Sequence, residues 1–458
     1  MKPIYLIRSY RNVPGLQISQ PMGILYLASY LRHYLEIPVK LIDMRIGRLS
    51  CQDVVKQMAD DPPSIVGISS LSFEASTVHE LAASLKKVYP DIPIIAGGPY
   101  STTSPNLVIQ DSNIDYAVVG EGEITFKELT EALLGGDSQP EIPGSVFRRN
   151  GEVVTAPYRN FISDPDEIPM PAWDLLDIRQ YYGKTNFNRV YAHPANMTIM
   201  TSRGCPFRCA YCHNVFGSKF RARSPENVLE EIRILYHQYG VREFLIIDDT
   251  FNLNRIRART ICDLILQENI KINISFPNGL KADIMDQELI QKLKQCGTYR
   301  ICYGVEAASE RILELICRRM DLHKTNEIIT QTAQASILTH GFFMLGFPTE
   351  TEEEMMTTVH FALKSSLHSA SFFVVVPFPG TKLHQLASQA QDSGYVDGYY
   401  HHIDNVISAV PAEKVKKIVK TAYRKFYANP WRLFQILRLT PKNKEFIKSS
   451  IEFLARAK

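Results

Sequence analysis

The chain has 458 residues, 45% of them hydrophobic and 22% charged, which is enough apolar material for two or three packed domains and excludes a disordered chain. It contains no run of eighteen apolar residues, which argues against a membrane-spanning helix, and Arg8 and Arg11 fall where a signal peptide would need its apolar stretch. With eight mostly scattered cysteines, these features predict a cytoplasmic protein without a disulfide framework.

Residues 1–135 alternate short, nearly continuous apolar stretches with helical patterns. The strand candidates are 3–7, 39–43, 64–69, 92–98 and 116–120. The helix candidates are 21–35, 50–60, 75–89 and 122–134. Strands that are apolar on both faces and alternate with helices predict a doubly wound, Rossmann-like parallel sheet of the α/β class.

Small residues follow three successive strands of this predicted sheet. They are Ser69-Ser70, Gly97-Gly98-Pro99 and Gly120-Glu121-Gly122. Ligands of such sheets bind beyond the carboxyl ends of the strands, where glycine lets the backbone approach a ligand closely. One glycine turn alone would be ordinary turn chemistry, but three at one edge of the sheet predict a ligand-binding crevice.

The segment 136–190 is rich in Gly, Pro, Asp and Asn, and we predict a linker or strap there. From 191 to 395 strands and helices alternate again. The strand candidates are 197–202, 243–248, 273–279, 300–306, 341–346 and 370–378. The helix candidates include 225–239, 254–268, 286–296, 323–336 and 352–366. Six such βα units predict a partial (β/α)6 barrel with its chemistry at the carboxyl ends of the strands.

The C-terminal region, 396–458, is predicted to be helical and basic. Pro411 to Lys458 holds 13 Lys and Arg against 3 Asp and Glu, whereas the rest of the chain holds 38 against 45. Trp431, Phe434 and Leu437 recur among these charges at helical spacing. One interpretation is a solvated helical cap on the barrel. The other is contact, beside Arg432 and Arg438, with an anionic membrane surface or a lipid-like substrate. No recognised nucleic-acid-binding module is present, so nucleic acid is not expected as a partner.

Three cysteines crowd into the sequence SRGCPFRCAYCHN, which follows the first predicted barrel strand. Cys205, Cys209 and Cys212 have CxxxCxxC spacing, and thiolates are the usual ligands of iron–sulfur clusters. A closed zinc site would require a fourth ligand, for which the adjacent His213 is a candidate, but the second ligand pair of a zinc finger is missing. Three ligands on a 4Fe-4S cluster would leave one iron free for a small molecule.

This motif, with Tyr211 before its last cysteine, resembles the signature of radical S-adenosylmethionine enzymes. The resemblance implies that S-adenosylmethionine chelates the open iron and is cleaved reductively to a 5′-deoxyadenosyl radical, with a flavodoxin- or ferredoxin-type protein as electron donor. The stretches 245–254, 303–313, 341–351 and 376–383 resemble successive strand-end motifs of the cobalamin-binding branch of these enzymes.

By the same resemblance the backbone at Tyr211 would touch adenine, and the carboxylates of Asp248 or Asp249 and of Glu306 would reach polar groups of S-adenosylmethionine. Any one of these carboxylates is equally well explained as a helix cap or a surface ion pair. The chain departs from the family pattern at two places: GVEAAS replaces GVESGS, and Thr349 replaces the usual glycine of GFPGET.

The stretches 20–32, 66–70, 94–102 and 115–129 resemble the cobalamin domain that precedes such barrels. The resemblance implies a cobalamin site that includes Met22, Gly23, Ser69, Ser70, Gly97, Gly98, Pro99, Gly120, Glu121 and Gly122. Many cobalamin domains donate a histidine to cobalt from a DxHxxG loop after the first strand. Here that loop, 9–15, reads SYRNVPG, so we expect cobalamin without a protein histidine ligand.

Two reactions fit these features. The first is methylation of an unactivated carbon of a small-molecule or lipid-like substrate, in which one S-adenosylmethionine supplies the methyl group through cobalamin and another supplies the radical. The second is cyclisation, ring rearrangement or oxidation without net methyl transfer. A cobalamin or redox sensor is disfavoured by the intact cysteine motif. An RNA methylthiotransferase is disfavoured by the lack of its cysteine-bearing N-terminal domain and its C-terminal RNA-binding barrel.

Overall fold

The computed structural model describes residues 2–12, 18–184, 191–390 and 407–442. The chain forms two compact units. The first comprises Met1–Tyr181 with Asn214–Gly217, and the second comprises Tyr182–His213 with Ser218–Lys458.

The first unit contains a seven-stranded sheet in the order β2-β1-β3-β4-β5-β6-β7. The first five strands are parallel, and they are β1 (Ile4–Arg8), β2 (Val39–Asp43), β3 (Ile65–Ser69), β4 (Ile94–Gly97) and β5 (Tyr116–Val118). The helices are α1 (Met22–Leu35), α2 (Met44–Gly47), α3 (Cys51–Gln57), α4 (Ala75–Val88), α5 (Gly98–Thr103), α6 (Pro105–Gln110) and α7 (Glu123–Leu134). Separate apolar clusters cover the two faces of the sheet, which confirms the predicted doubly wound arrangement.

The segment 136–190 is more than the linker that we predicted. It contains β6 (Ser145–Arg149) and β7 (Glu152–Thr155), which extend the sheet as an antiparallel hairpin beside β5. The hairpin turns at Asn150-Gly151, both with positive φ, and Val146 and Phe147 are buried. The short strands lie between Gly- and Pro-rich stretches, whose composition concealed them. Residues 185–190 lie outside the described residues.

The second unit contains six parallel strands whose order is β15-β14-β13-β12-β11-β8. They are β8 (Asn196–Ile199), β11 (Glu243–Ile246), β12 (Asn273–Leu280), β13 (Thr298–Glu306), β14 (Leu338–Leu345) and β15 (Ser369–Val374). Two further short strands, β9 (Ser202–Arg203) and β10 (Arg221–Ala222), pair antiparallel with each other. The intervening helices are α8 (Pro225–Gln238), α9 (Arg255–Gln267), α10 (Gln287–Gln295), α11 (Glu310–Leu315), α12 (Leu322–Gln334) and α13 (Glu352–Lys364). The predicted partial barrel of six βα units is confirmed.

The helices α14 (Lys382–Ala390), α15 (Ala412–Tyr427) and α16 (Pro430–Leu439) follow the barrel. Helix α15 covers the edge of β15 with two tyrosines one turn apart. The Tyr427 hydroxyl donates to the Ala370 carbonyl at 3.1 Å and accepts from the Ala370 amide at 3.2 Å, and Tyr423 pairs in the same way with Phe372. These hydroxyls satisfy the backbone amide and carbonyl groups of Ala370 and Phe372, which would otherwise be unpaired at an open sheet edge.

The predicted C-terminal helical region is confirmed where the structure describes it, while 396–406 and 443–458 lie outside the described residues. In the described part of the chain no helix is both long enough and apolar enough to cross a membrane.

Candidate cofactor sites

The cysteine loop begins and ends at a narrow neck. Strands β9 and β10 pair Arg203 with Arg221 and Ser202 with Ala222, so the residues between them form a closed loop. The buried carboxylate of Asp248 ties this neck to the end of β11. It accepts hydrogen bonds from the Thr201 amide at 2.6 Å, the Thr201 hydroxyl at 2.5 Å and the Ser202 hydroxyl at 2.6 Å.

Two buried arginines clamp the same neck from the side of α8 and α9. Arg257 donates to the Thr201 carbonyl and the Arg223 carbonyl, each at 2.6 Å. Arg223 forms a buried ion pair with Glu231 and donates to the Met200 carbonyl at 3.0 Å. Because a buried charge that loses its partner is costly, these pairings fix both strands of the neck.

The middle of the loop is anchored to the opposite side of the barrel. The amide of Ala210 donates to the Ile316 carbonyl at 2.8 Å, and the Leu383 amide donates to the Ala210 carbonyl at 2.7 Å. The His213 ring Nε2 lies 2.8 Å from the Pro379 carbonyl oxygen. The predicted strand-end motif at 376–383 thus holds the loop that carries the thiols, and His213 has a structural partner.

The three cysteines are free thiols, with Cys205 and Cys209 half-buried and Cys212 exposed. The Thr250 hydroxyl donates to Cys205 Sγ at 3.1 Å, and the Arg318 guanidinium lies 3.7 Å from Cys209 Sγ. Burial raises the pKa of the Cys205 thiol, and the Thr250 hydrogen bond opposes that rise. Donors aimed at two of the three thiols of this loop fit sulfur atoms that carry negative charge, as the ligands of a 4Fe-4S cluster do.

Arg318 connects the loop to the end of β13. Its guanidinium donates to the Tyr211 hydroxyl at 3.0 Å and also to the Gly304 carbonyl. Burial raises the pKa of the Glu306 carboxyl, while Arg318 and a hydrogen bond from Tyr211 lower it. Glu306 has a left-handed φ of 68°, and a Cβ added at Gly304 would lie 2.6 Å from Glu306 Oε1. A strained acidic residue over a glycine at a strand end is typical of a ligand site.

The structure separates the two adjacent aspartates that the sequence could not distinguish. The Asp248 carboxylate is buried and already accepts three hydrogen bonds at the neck, so it is poorly suited to a second molecule. The Asp249 side chain still reaches solvent and accepts from the Gly204 amide at 3.1 Å. Partial burial nevertheless raises the pKa of Asp249 to about 6. Of the two, Asp249 is the one whose carboxylate remains accessible.

The predicted cobalamin residues after β3 and β4 lie together at one edge of the first sheet. Ser69 and Gly97 are paired in register, and the Ser70 amide donates to the Gly97 carbonyl at 3.3 Å. Gly98 has a φ of 82°, and a Cβ there would lie 2.9 Å from Ser69 Oγ and 3.0 Å from the Ser70 carbonyl oxygen. By contrast, a Cβ at Gly97 would meet nothing within 4 Å. At this edge the backbone at Gly98 therefore packs closely against Ser69 and Ser70, while the space beside Gly97 is open.

Two buried hydroxyls at this edge fit a polar ligand. Ser70 Oγ and Ser101 Oγ are buried and have no hydrogen-bond partner in the described structure. A buried hydroxyl without a partner is costly, so such groups usually face a bound molecule or water. Ser101 on α5 was not predicted, because a single serine in the stretch GGPYST carries no distinctive pattern.

The other predicted cobalamin residues lie in the loops and helix starts at the same carboxyl edge. Pro99 is in the first turn of α5, and Met22 and Gly23 begin α1. The Gly120 amide donates to the Thr102 hydroxyl at 3.0 Å. Glu121 accepts from the Ile162 amide at 3.0 Å, and Gly122 is the N-cap of α7.

The two histidines in the described part of the first unit either have other partners or lie away from the predicted cobalamin edge. The ring of His79 lies 2.7 Å from Asp111 Oδ2 through Nδ1 and 3.0 Å from the Tyr100 hydroxyl through Nε2. His33 is exposed near the end of α1, at the opposite edge of the sheet from the helix start. The loop 9–15, on which the expectation of no histidine ligand rests, is described only up to residue 12.

Comparison with protein families matches the first and second units to different families. The Radical SAM superfamily profile matches residues 199–362, and the B12 binding domain profile matches residues 15–130. The chain is 35% identical over 420 residues to the uncharacterized methyltransferase PH0819 of Pyrococcus horikoshii, covering 90% of this chain and 88% of that one.

Two further relatives have different named reactions. The cytidylyl-2-hydroxyethylphosphonate methyltransferase of Streptomyces wedmorensis is 29% identical, with 91% of this chain and 88% of that one covered. The anaerobic magnesium-protoporphyrin IX monomethyl ester cyclase of Rubrivivax gelatinosus is 25% identical, with 84% and 70% covered.

Among solved structures, the radical S-adenosylmethionine methyltransferase TsrM from Kitasatospora setae, with cobalamin and a 4Fe-4S cluster bound, has the same fold. It superposes with a TM-score of 0.70 at 19% identity, covering 85% of this chain and 75% of that one. With both profiles and a relative that matches nearly end to end, the chain belongs to the radical S-adenosylmethionine enzymes that carry a B12-binding domain, and its cofactors are a 4Fe-4S cluster, S-adenosylmethionine and cobalamin.

Proposed function

We propose that the protein methylates an unactivated carbon atom of a small-molecule or lipid-like substrate. The relatives at 35% and 29% identity are both named methyltransferases, and both match nearly the whole chain. When bound, the cofactors supply the chemistry: reductive cleavage of S-adenosylmethionine gives the radical, and cobalamin carries the methyl group. The observation that carries the proposal is the coexistence, in one chain, of the thiol loop and of a glycine-lined strand edge with two unpartnered buried serines.

In this proposal Cys205, Cys209 and Cys212 would hold the cluster, and three protein ligands would leave it able to bind S-adenosylmethionine. Asp249 and Glu306 would accept hydrogen bonds from its ammonium or ribose groups, since ionised acceptors make the stronger hydrogen bonds. Thr250 and Arg318 would donate to the ligand sulfurs of the cluster, as they do to the thiols here.

In the first unit the residues near the ends of β3 and β4 would bind cobalamin. The hydroxyls of Ser70 and Ser101 would donate to its polar groups, while Gly97 and Gly98 would let the backbone approach it. We also propose that no histidine of the protein binds cobalt. His79 supports this, because both of its ring nitrogens already have partners.

The alternative reaction is cyclisation, ring rearrangement or oxidation without net methyl transfer. The relative named as a cyclase favours it, although at 25% identity and with 70% of that chain covered. Under either reaction we propose a flavodoxin- or ferredoxin-type electron donor and residence in the cytoplasm. Membrane contact at the inner surface is a separate proposal, which the C-terminal helices carry.

The experiment follows the methyl group. The protein, reconstituted anaerobically with its cofactors, is incubated with S-adenosylmethionine carrying a deuterated methyl group and with fractionated metabolite and lipid extracts. We expect at least one compound to gain a single labelled methyl group, and the Cys212→Ala variant to give none. Products that appear with unchanged carbon count, and without label, would favour the alternative reaction instead.

A further inference from the structure

The last described helix, α16, presents an apolar face to solvent. Trp431, Leu433, Phe434 and Leu437 are 66%, 37%, 51% and 52% exposed. The rings of Trp431 and Phe434 stack with their centroids 5.5 Å apart. The other exposed large hydrophobic residues of the described chain are dispersed, whereas these four lie within one ten-residue helix. A cluster of this kind marks an interaction surface.

The opposite face of α16 fixes the helix on the barrel. The buried guanidinium of Arg432 donates to the carbonyls of Leu367 at 2.8 Å, Phe426 at 2.9 Å and Ser365 at 3.1 Å. It also lies over the Phe426 ring, 3.7 Å from its centroid. Because Arg432 ties α16 to these carbonyls, the apolar face on the other side of the helix is held outward.

The neighbouring helix α15 adds positive charge. Its exposed residues Lys417, Lys420 and Arg424 recur at a spacing that places them on one helix face. Across 411–442 there are nine Lys and Arg against a single acidic residue, Glu413. An exposed apolar helix face with stacked aromatic rings, on the helix that directly follows one with a basic stripe, complements the anionic headgroups and acyl boundary of a lipid bilayer.

We propose that α15 and α16 dock the protein on an anionic membrane surface. Trp431, Phe434 and Leu437 would enter the boundary between headgroups and acyl chains, and the lysines of α15 would lie on the headgroups. Amphipathic rings are favoured at this depth of a bilayer. The proposal goes beyond the methyl transfer and does not depend on it, because membrane binding is measurable without turnover.

The test is flotation of the full-length protein with vesicles of phosphatidylcholine, with and without phosphatidylglycerol. We expect the wild-type protein to float with the anionic vesicles at low salt and to remain at the bottom with the neutral ones. The triple variant Trp431→Ser, Phe434→Ser, Leu437→Ser should bind at least about tenfold more weakly. Reversing the charge of Lys417, Lys420 and Arg424 to Glu should weaken binding by a similar factor.

A matched control is Ile256→Ser, which removes a side chain that is 75% exposed on α9, away from this surface. It should float like the wild type. The proposal is overturned if the wild-type protein stays at the bottom with anionic vesicles, or if the triple variant floats unchanged. It is also overturned if the triple variant converts a wild-type dimer to a monomer in sedimentation, or if single-stranded RNA retains the wild type while vesicles do not.

Discussion

Arg318 is the residue that joins most parts of the candidate cluster site. Its guanidinium contacts Cys209 Sγ, the Tyr211 hydroxyl and the carbonyl of Gly304, and it lowers the pKa of Glu306. Hydrogen bonds and positive charge near cluster sulfurs stabilise the reduced state of an iron–sulfur centre. We therefore infer that Arg318 makes the cluster easier to reduce.

The Arg318→Gln variant should shift the reduction potential of the reconstituted cluster in the negative direction, by at least about 60 mV, which corresponds to about 1.4 kcal/mol for one electron. The measurement is a redox titration followed by electron paramagnetic resonance without S-adenosylmethionine. Arg318→Lys, which keeps the charge, should shift the potential less. Equal potentials in the wild type and the Gln variant would show that Arg318 only shapes the loop.

The sequence identified the thiols because their spacing is local, but it could not identify Arg318. That arginine is 109 positions from Cys209 and lies in the run CRRM, where nothing distinguishes it from its neighbour Arg319. The structure also shows why the family has glycine where this chain has Thr349. Its φ is 62°, a conformation that favours glycine, and Arg311 holds its carbonyl at 2.8 Å.

At the scale of elements, the connection from β14 to α13 depends on a buried carboxyl group. Glu350 Oε2 accepts from the amides of Gly346 at 2.6 Å and Phe347 at 2.9 Å, and it closes the turn after the strand. Burial raises the pKa of Glu350 to about 7, from 4.5 for an unburied group, although these amides oppose the rise. The folded state therefore favours the protonated form.

The raised pKa of Glu350 determines whether the protein becomes more or less stable as the pH rises. Because the folded pKa lies above the unfolded one, the stabilisation is complete below about pH 4.5 and is lost as the pH rises through about 7. Between pH 5 and pH 7.5 the wild type should lose about 2 kcal/mol relative to Glu350→Gln. Urea unfolding of both proteins at the two pH values measures this difference. The exposed control Glu353→Gln should show the same change in the free energy of unfolding between the two pH values as the wild type. If the difference in free energy between the wild type and Glu350→Gln is the same at both pH values, the assignment is contradicted.

Elements with a clear apolar pattern were predictable from the sequence, whereas those too short to show a pattern were not. The strands β3 and β14 were predicted from their apolar runs, because strands buried on both faces need nearly continuous apolar residues. The two-residue strands β9 and β10 are too short to show any period, yet they form the neck of the thiol loop. Their existence depends on Asp248 and Arg257, which lie far along the chain.

At the scale of the whole molecule, the two units repeat one principle. Each contains a block of parallel strands whose carboxyl edge carries the candidate cofactor residues. Each also has a glycine at that edge where a Cβ would meet a neighbouring residue, Gly98 in the first unit and Gly304 in the second. The first unit offers Ser70, Ser101 and Gly97, and the second offers the thiol loop. Because each set of residues belongs to its own unit, we predict that the two cofactor functions can be disabled one at a time.

The most direct measurement quantifies 5′-deoxyadenosine and S-adenosylhomocysteine after anaerobic turnover with reductant and S-adenosylmethionine. We predict both products for the wild type. We predict neither for Cys212→Ala, and 5′-deoxyadenosine without S-adenosylhomocysteine for Gly97→Val, whose added β-carbon would enter open space beside the strand edge. Wild-type protein that forms 5′-deoxyadenosine alone would contradict methyl transfer, and unchanged S-adenosylhomocysteine in Gly97→Val would contradict the cobalamin site.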